Sequence, residues 1–332
     1  MTSIRAVLRL ALRSLTRLPT HLLPAVAAVL LPLAGGAQRT LSVRADNDAF
    51  NFWQAPWNRP DEEYTSGVRV TMDLAGRAPW ARRRRSAKDD CGGAAKACAG
   101  HSYAFGQDIY TAVRSRDQPT PLPGARPDAG VLWFAASDWR SNADKESELR
   151  WTVGFTGRQA LAAPMQRFFH NVAPGWNRPI DWTKQLPTEP VFAVSYDQRL
   201  LRTAGAVELQ PHVGASLGNL LTEARVGLGA RLGRDLHLPR WMAAGNRPVT
   251  WALLSDATLR GVARNETLSG TIFRPSEHVT LRPLVTDLQL GTTVRWRELG
   301  LSWTAHQTGA EYVARHSPHA WSTLEVAWMM GR

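Results

Sequence analysis

The sequence predicts an all-β protein: an antiparallel transmembrane β-barrel of about 12 strands (roughly ten to fourteen), with a short helix in an extracellular loop. Three observations predict it. The apolar–polar alternation has period two and comes in segments of about 10 residues, the length of a tilted strand that crosses a bilayer. The polar face of these segments carries charges and many glycines, as a crowded or wet lumen requires, whereas a soluble sandwich turns an apolar face inward. The 14 tryptophans often stand near segment ends, where an aromatic girdle would lie, among them Trp133, Trp151, Trp251, Trp296, Trp321 and Trp328. Closure into a barrel also removes the adhesive edges of so many strands.

The chain of 332 residues opens with Arg5, Arg9, Arg13 and Arg17, then an apolar run from Leu22 to Leu33 and the small residues Gly35-Gly36-Ala37. This is the pattern of a secretory signal peptide cut after Ala37; the run is too short, and too broken by Pro24 and Pro32, for a membrane anchor. Residues 1–37 are therefore read as signal peptide and 38–332 as the barrel. No later stretch approaches the eighteen or so apolar residues of a membrane helix. Without the four leader arginines the formal charge falls from +12 to +8. In a secreted protein such a balance fits a phosphate-bearing lipid surface better than nucleic acid.

Leu41 to Asp48 alternates, with Leu41, Val43, Ala45 and Asn47 on one face and Ser42, Arg44, Asp46 and Asp48 on the other. Tyr64 to Leu74 alternates next, and Ser102–Ala112, Gly130–Ser137 and Glu148–Phe155 read as further strands. The clearest segments are Val207–Gly218 and Glu223–Gly233; Leu284–Trp296, Leu299–Ala305 and Ser322–Met330 continue the pattern. Between strands, the Arg82–Arg85 run reads as a solvated loop. Cys91 and Cys98, the chain's two cysteines, suit a small local disulfide in an oxidising compartment and have too few companions for a metal site.

One segment breaks the alternation. From Gln159 to Phe169, Leu161, Met165, Phe168 and Phe169 approach helical spacing, Pro164 suits a first turn and Pro174-Gly175 a stop. Gln166 and His170, four residues apart, share a helix face. An apolar helix in a barrel loop can lie in the lipid interface. His170 is either a rim histidine without a task or a general base, since imidazole titrates near working pH. Asp46-Asn47-Asp48 is the second candidate. Such residues are common in turns, yet here they close a strand, and their oxygens suit a hard cation such as calcium. In a hairpin, Asn47 and Asp48 neighbour Thr65 and Ser66. By parity Asn47 and Ser66 fall on the lipid side, Asp48 and Thr65 towards the lumen; an amide and a hydroxyl on a lipid face are costly unless used.

Taken in order, Asn47-Asp48, Tyr64-Thr65-Ser66-Gly67, Gln166 with His170, and Gly175-Trp176 through Gln185-Leu186 to Glu189 resemble the lipid A 3'-O-deacylase family of Gram-negative outer membranes. The closing Gln307-Thr308-Gly309 with Glu311, and Leu324 to Trp328, are similar too, so the resemblance spans nearly the whole mature chain. It implies a twelve-stranded barrel with its site at the outer-leaflet end. His170 would be the base that activates water, Asn47 and Asp48 would place a calcium ion, and Thr65 or Ser66 would supply the family's hydroxyl. The ion would stabilise the oxyanion of the ester as it is attacked. The family has an acid soon after the histidine; here the first acids are Asp181 and Glu189, beyond an insertion that repeats a tryptophan (Trp176, Trp182), and these two are the candidates for orienting His170. The expected partners are lipid A or lipopolysaccharide and the outer membrane, with no nucleic acid, for a monomeric carboxylic ester hydrolase. The rival readings are a non-catalytic barrel (a pore or lipid-binding protein), a calcium-dependent phospholipase, and a soluble periplasmic sandwich.

Overall fold

The computed structural model describes residues 39–51, 62–76, 80, 97–115, 120–172, 181–234 and 249–330; of residues 49, 97 and 168–172 it describes the backbone only. The signal-peptide segment, the Arg82–Arg85 run, Cys91 and the Pro174–Trp176 stretch lie outside these residues. Cys98 is disulfide-bonded.

The described residues form one antiparallel sheet of thirteen segments. In chain order these are β1 (Arg39–Asn47), β2 (Glu63–Ala75), β3 (Ala97–Thr111), β4 (Ala129–Asn142), β5 (Lys145–Thr156), β6 (Pro190–Leu200), β7 (Arg202–Ala204), β8 (Val207–Gly218), β9 (Leu221–Gly233), β10 (Val249–Asn265), β11 (Leu284–Trp296), β12 (Leu299–Thr308) and β13 (His319–Met330). β7 continues β6 along the same neighbour, β8, so the segments make twelve barrel strands. β1 pairs with β13 from Arg39 opposite Met330 to Asn47 opposite Ser322, which closes the ring and leaves no free edge.

The expected alternation is inside out relative to a soluble protein. On β8, Val207, Leu209, Val213 and Leu217 are exposed, Leu217 at 71%, while Glu208 is wholly buried. Apolar side chains face lipid and polar ones face the lumen. β6 and β10 were not legible as strands because their lumen faces also begin apolar, with Val191 and Ala193, and Ala252 and Leu254, which blurs the contrast. Of the six tryptophans assigned to a girdle, Trp151, Trp251, Trp296 and Trp328 do face outward. Trp133 and Trp321 do not; they fall on the lumen parity. Trp133 donates to Asp108 Oδ2 at 2.7 Å, and Trp321 stacks on His306 with ring centroids 5.1 Å apart.

The lumen holds a cavity of about 620 Å³ lined by paired charges. Arg225 forks onto both oxygens of Asp197 at 2.7 Å, Arg260 bridges Glu223, Asp287 and Glu311, and His212 meets Asp256 at 2.8 Å. These buried charges are paired, as the low local dielectric demands.

Both sheet ends of the chain, Arg39 and Met330, lie at one end of the barrel. The loops after β1, β3, β5, β8, β10 and β12 lie at the other, which outer-membrane barrels turn to the cell exterior. At that end Glu63, with a left-handed φ of 63°, is held by three partners. Arg315 Nη1 and Tyr312 Oη donate to its Oε1 at 2.6 and 2.7 Å, and Arg126 Nη1 reaches its Oε2 at 3.5 Å. Arg126 also donates to Thr267 Oγ1 at 2.6 Å and lies over the Tyr110 ring, 4.4 Å from its centroid. This buried cluster joins three exterior loops to the start of β2 across the lumen mouth.

Candidate functional site

Asn47 is the last residue of β1, and Asp48 opens a 3-10 turn, Asp48–Phe50. Asn51 pins the turn: its amide donates to Asp48 O at 3.1 Å, its Nδ2 to Ala320 O at 2.8 Å, and Ser322 Oγ donates to its Oδ1 at 2.8 Å. Asp48 is buried, 1% exposed. Asn47 Nδ2 donates to Thr65 O at 3.0 Å. Asn47 faces Ser66 across the β1–β2 ladder, as the hairpin argument expects, and Ser66 faces Ile109 of β3.

Thr65 departs from its expected lumenward place. The β2–β3 register slips between Tyr64 and Ser66, and a bulge of this kind adds a residue and shifts the alternation. Tyr64 takes the lumen position, its hydroxyl donating to Asp46 Oδ2 at 2.8 Å. The Thr65 hydroxyl instead meets that of Thr111 at 2.6 Å. Tyr110 lines the lumen, so Thr111 beside it belongs to the outer wall.

The described residues of the next loop, 157–172 and 181–189, pack against that outer wall through Ala160, Ala162 and Trp182. A 3-10 turn, Gly157–Ala160, ends at Leu161, whose φ of 58° redirects the chain into helix α1 (Ala162–Val172). The helix starts three residues later than the spacing predicts and runs three residues further, so His170 sits within it. Pro164 falls in the first turn, where no amide donor is needed. Ala162 and the returning Trp182 pack on Ile109. Gly130, opposite Ile109, makes room: a Cβ there would stand 2.5 Å from Ala162 Cβ. Gln107 of the same outer face donates to Ala160 O.

α1 therefore rests on β3 and β4, next to the strand β2 that carries Thr65 and Ser66, and Asn47 lies about 10 Å from Ile109, two strand spacings away. Gln166 is 5% exposed; Trp182 Nε1 donates to its Oε1 at 2.8 Å, and its Nε2 has no partner among the described residues. His170 follows one helical turn later at the same end of the barrel as Asn47 and Asp48; its ring lies outside the described side chains.

The two acids put forward for orienting His170 have other described partners. Glu189 accepts the backbone amides of Ile272 and Phe273 at 2.7 and 2.9 Å. Asp181 is exposed and caps the 3-10 turn Trp182–Lys184; the Thr183 hydroxyl and amide hold its carboxyl below the usual range. Sequence reasoning missed Ile109 and Thr111, which form the wall under the helix, because neither carries chemistry of its own. It also missed the anchoring role of Trp182, whose only signal was an unexplained second tryptophan. Arg158, Arg167 and Lys184 are exposed around this loop. Among the described residues no group of three or more His, Cys, Asp or Glu side chains could hold a metal ion.

The family model described as outer membrane protein LpxR matches residues 21–330. Among solved structures, LpxR from Salmonella typhimurium superposes with a TM-score of 0.70 at 17% identity, covering 87% of this chain and 99% of that one. The β domain of the Bordetella autotransporter BrkA gives a TM-score of 0.43 at 10% identity, covering 90% and 100%. The translocator domain of NalP from Neisseria meningitidis gives 0.38 at 8%, covering 92% and 93%. No curated protein sequence matches the chain.

Proposed function

The chain belongs to the LpxR family of outer membrane proteins, and from that membership we propose that it is a lipid A deacylase that hydrolyses the 3'-linked acyloxyacyl ester at the outer leaflet. The observation that supports this reading is the placement of α1 on the outside of the barrel, over β3 and β4, at the end of the wall where the neighbouring strands carry Ser66 and Asn47. A soluble substrate would call for a site in the lumen or in the loops above it. The exposed Arg158, Arg167 and Lys184 around the same loop suit a phosphorylated glycolipid.

In this reading neutral His170 takes a proton from water as the water oxygen attacks the ester carbonyl. The tetrahedral intermediate collapses, the sugar 3'-oxygen leaves and takes that proton from the imidazolium, and the acyloxyacyl chain departs as a carboxylic acid that gives its remaining proton to solvent. Ser66 is the hydroxyl that faces the substrate, because that of Thr65 is already bound to Thr111. Gln166 offers its Nε2 as a donor to a substrate oxygen, its Oε1 being taken by Trp182.

Asn47 and Asp48 fit a hard cation. Their donors are oxygens, since the Asn47 nitrogen is committed to Thr65 O, and no cluster of soft or imidazole ligands stands among the described residues. Calcium held there, completed by backbone carbonyls and water, would supply Lewis-acid polarisation of the ester. Mass spectrometry of lipid A from cells carrying the wild-type chain or His170→Ala tests the proposal. The wild type should yield lipid A lacking the 3'-acyloxyacyl group and the variant should not; equal deacylation in both would remove His170 from the chemistry.

A further inference from the structure

Among the described strand residues, Asp138 of β4 is the one carboxylate on the outer face of the wall. Trp139 beside it lines the lumen, so Asp138 and Arg140 point the other way. A carboxylate on a lipid-facing wall is costly unless it is used. Its level in the wall follows from the ladder. Asp138 pairs with His101, His101 with Leu74, and Leu74 with Arg39, the first residue of β1. Asp138 therefore stands towards the end of the barrel opposite the exterior loops.

Aromatic rings surround it. Trp80, from the segment between β2 and β3, donates its indole N–H to Asp138 Oδ2 at 2.8 Å. The Trp80 ring meets that of Tyr103 at 5.7 Å between centroids and 78° between planes, and that of Trp151 at 6.3 Å and 87°. Rings set near right angles make the walls of a corner rather than a stack. Trp80 and Trp151 stay 42% and 36% exposed, so the corner is open to the surroundings of the barrel. His101 closes one side; its Nδ1 lies 3.2 Å from Gly76 O and is committed there. Asp138 Oδ1 has no hydrogen bond among the described residues. Arg140, on the same face and two residues nearer the rim, is exposed and has no ion pair among the described residues.

We propose that this corner binds the ammonium headgroup of a glycerophospholipid in the periplasm-facing leaflet, with its nitrogen between the Asp138 carboxylate and the rings of Trp80, Tyr103 and Trp151. A carboxylate and aromatic faces together recognise a cation, and both act more strongly away from bulk water. Arg140 supplies a donor for the adjoining phosphate. A lipid without the cation would set its phosphate against Asp138, two like charges. The site lies at the opposite end of the barrel from α1 and is independent of the deacylation reading.

Native mass spectrometry of the full chain in detergent, titrated with phosphatidylethanolamine or phosphatidylglycerol of the same acyl chains, tests this. The wild type should bind phosphatidylethanolamine about tenfold more tightly. In Asp138→Asn the carboxamide oxygen still accepts from Trp80, so the wall should stay in place while that preference disappears. Trp80→Leu should lose it too. Deacylation should be unchanged in both variants. Equal affinity of the wild type for the two lipids, or a preference that survives in Asp138→Asn, overturns the site. If the variants do not assemble, the comparison of the two lipids on the wild type decides alone.

Discussion

Trp182 donates its indole N–H to Gln166 Oε1 at 2.8 Å and so decides which end of that carboxamide remains a donor. Indole nitrogen cannot accept, so the oxygen must face it and the NH₂ must point elsewhere. Trp182→Phe keeps the ring that packs on Ile109 but releases the amide. Turnover should fall roughly tenfold with KM little changed, and stability should drop by only about 1 kcal/mol, the net worth of one hydrogen bond. Steady-state kinetics beside thermal melting reads both; a large loss of stability with intact turnover would show Trp182 to be structural alone.

Gly130 is the close approach between α1 and the wall. In Gly130→Val the new Cβ meets Ala162 Cβ, an atom fixed to the helix backbone, so the helix must move rather than a side chain. The barrel should still assemble, seen as heat-modifiable mobility on gels, while deacylation falls at least about tenfold through lost positioning. Full activity would mean that the helix need not sit where it does.

Chelation should abolish deacylation, and calcium should restore it where zinc does not, because Asn47 and Asp48 present oxygen donors. Asp48→Asn removes one charge and should raise the calcium needed for half-maximal activity by about tenfold. Activity that is indifferent to chelator would remove the cation from the scheme.

The cluster around Glu63 separates the enzyme reading from the pore reading. With Arg126 and Arg315 bonded across the lumen mouth, the wild-type barrel should show no steady conductance in a planar bilayer. Replacing both arginines by alanine leaves Glu63 buried without its cations, a loss of about 3–5 kcal/mol for a broken buried pair, and should open the mouth. Large steady channels from the wild type would favour a pore.

Strand periodicity made the barrel legible because each wall residue faces either lipid or lumen, and ten of the strands show that contrast plainly. Where the lumen side begins with Val191 and Ala193 or with Ala252 and Leu254, the contrast vanishes and the strand hides. Asn47 opposite Ser66 was legible because hairpin register follows from parity. Thr65 was not, because a bulge leaves no mark in composition. Nor were Glu63 and Glu189 legible in their observed roles, since each binds residues tens to hundreds of positions away and only the closed ring brings them together.

Asn47, the final residue of the first strand, has Ser66 on one side and Ser322 of the last strand on the other. The turn that follows it is pinned by Ala320 and Ser322, residues near the carboxy-terminal end of the chain. Until that last hairpin arrives, β1 has one bare flank and Asp48 has no fixed seat. In the proposed scheme, a chain whose ring is still open would hold Asn47 and Asp48 without the neighbours that fix them, so closure of the sheet and completion of the site would be one event.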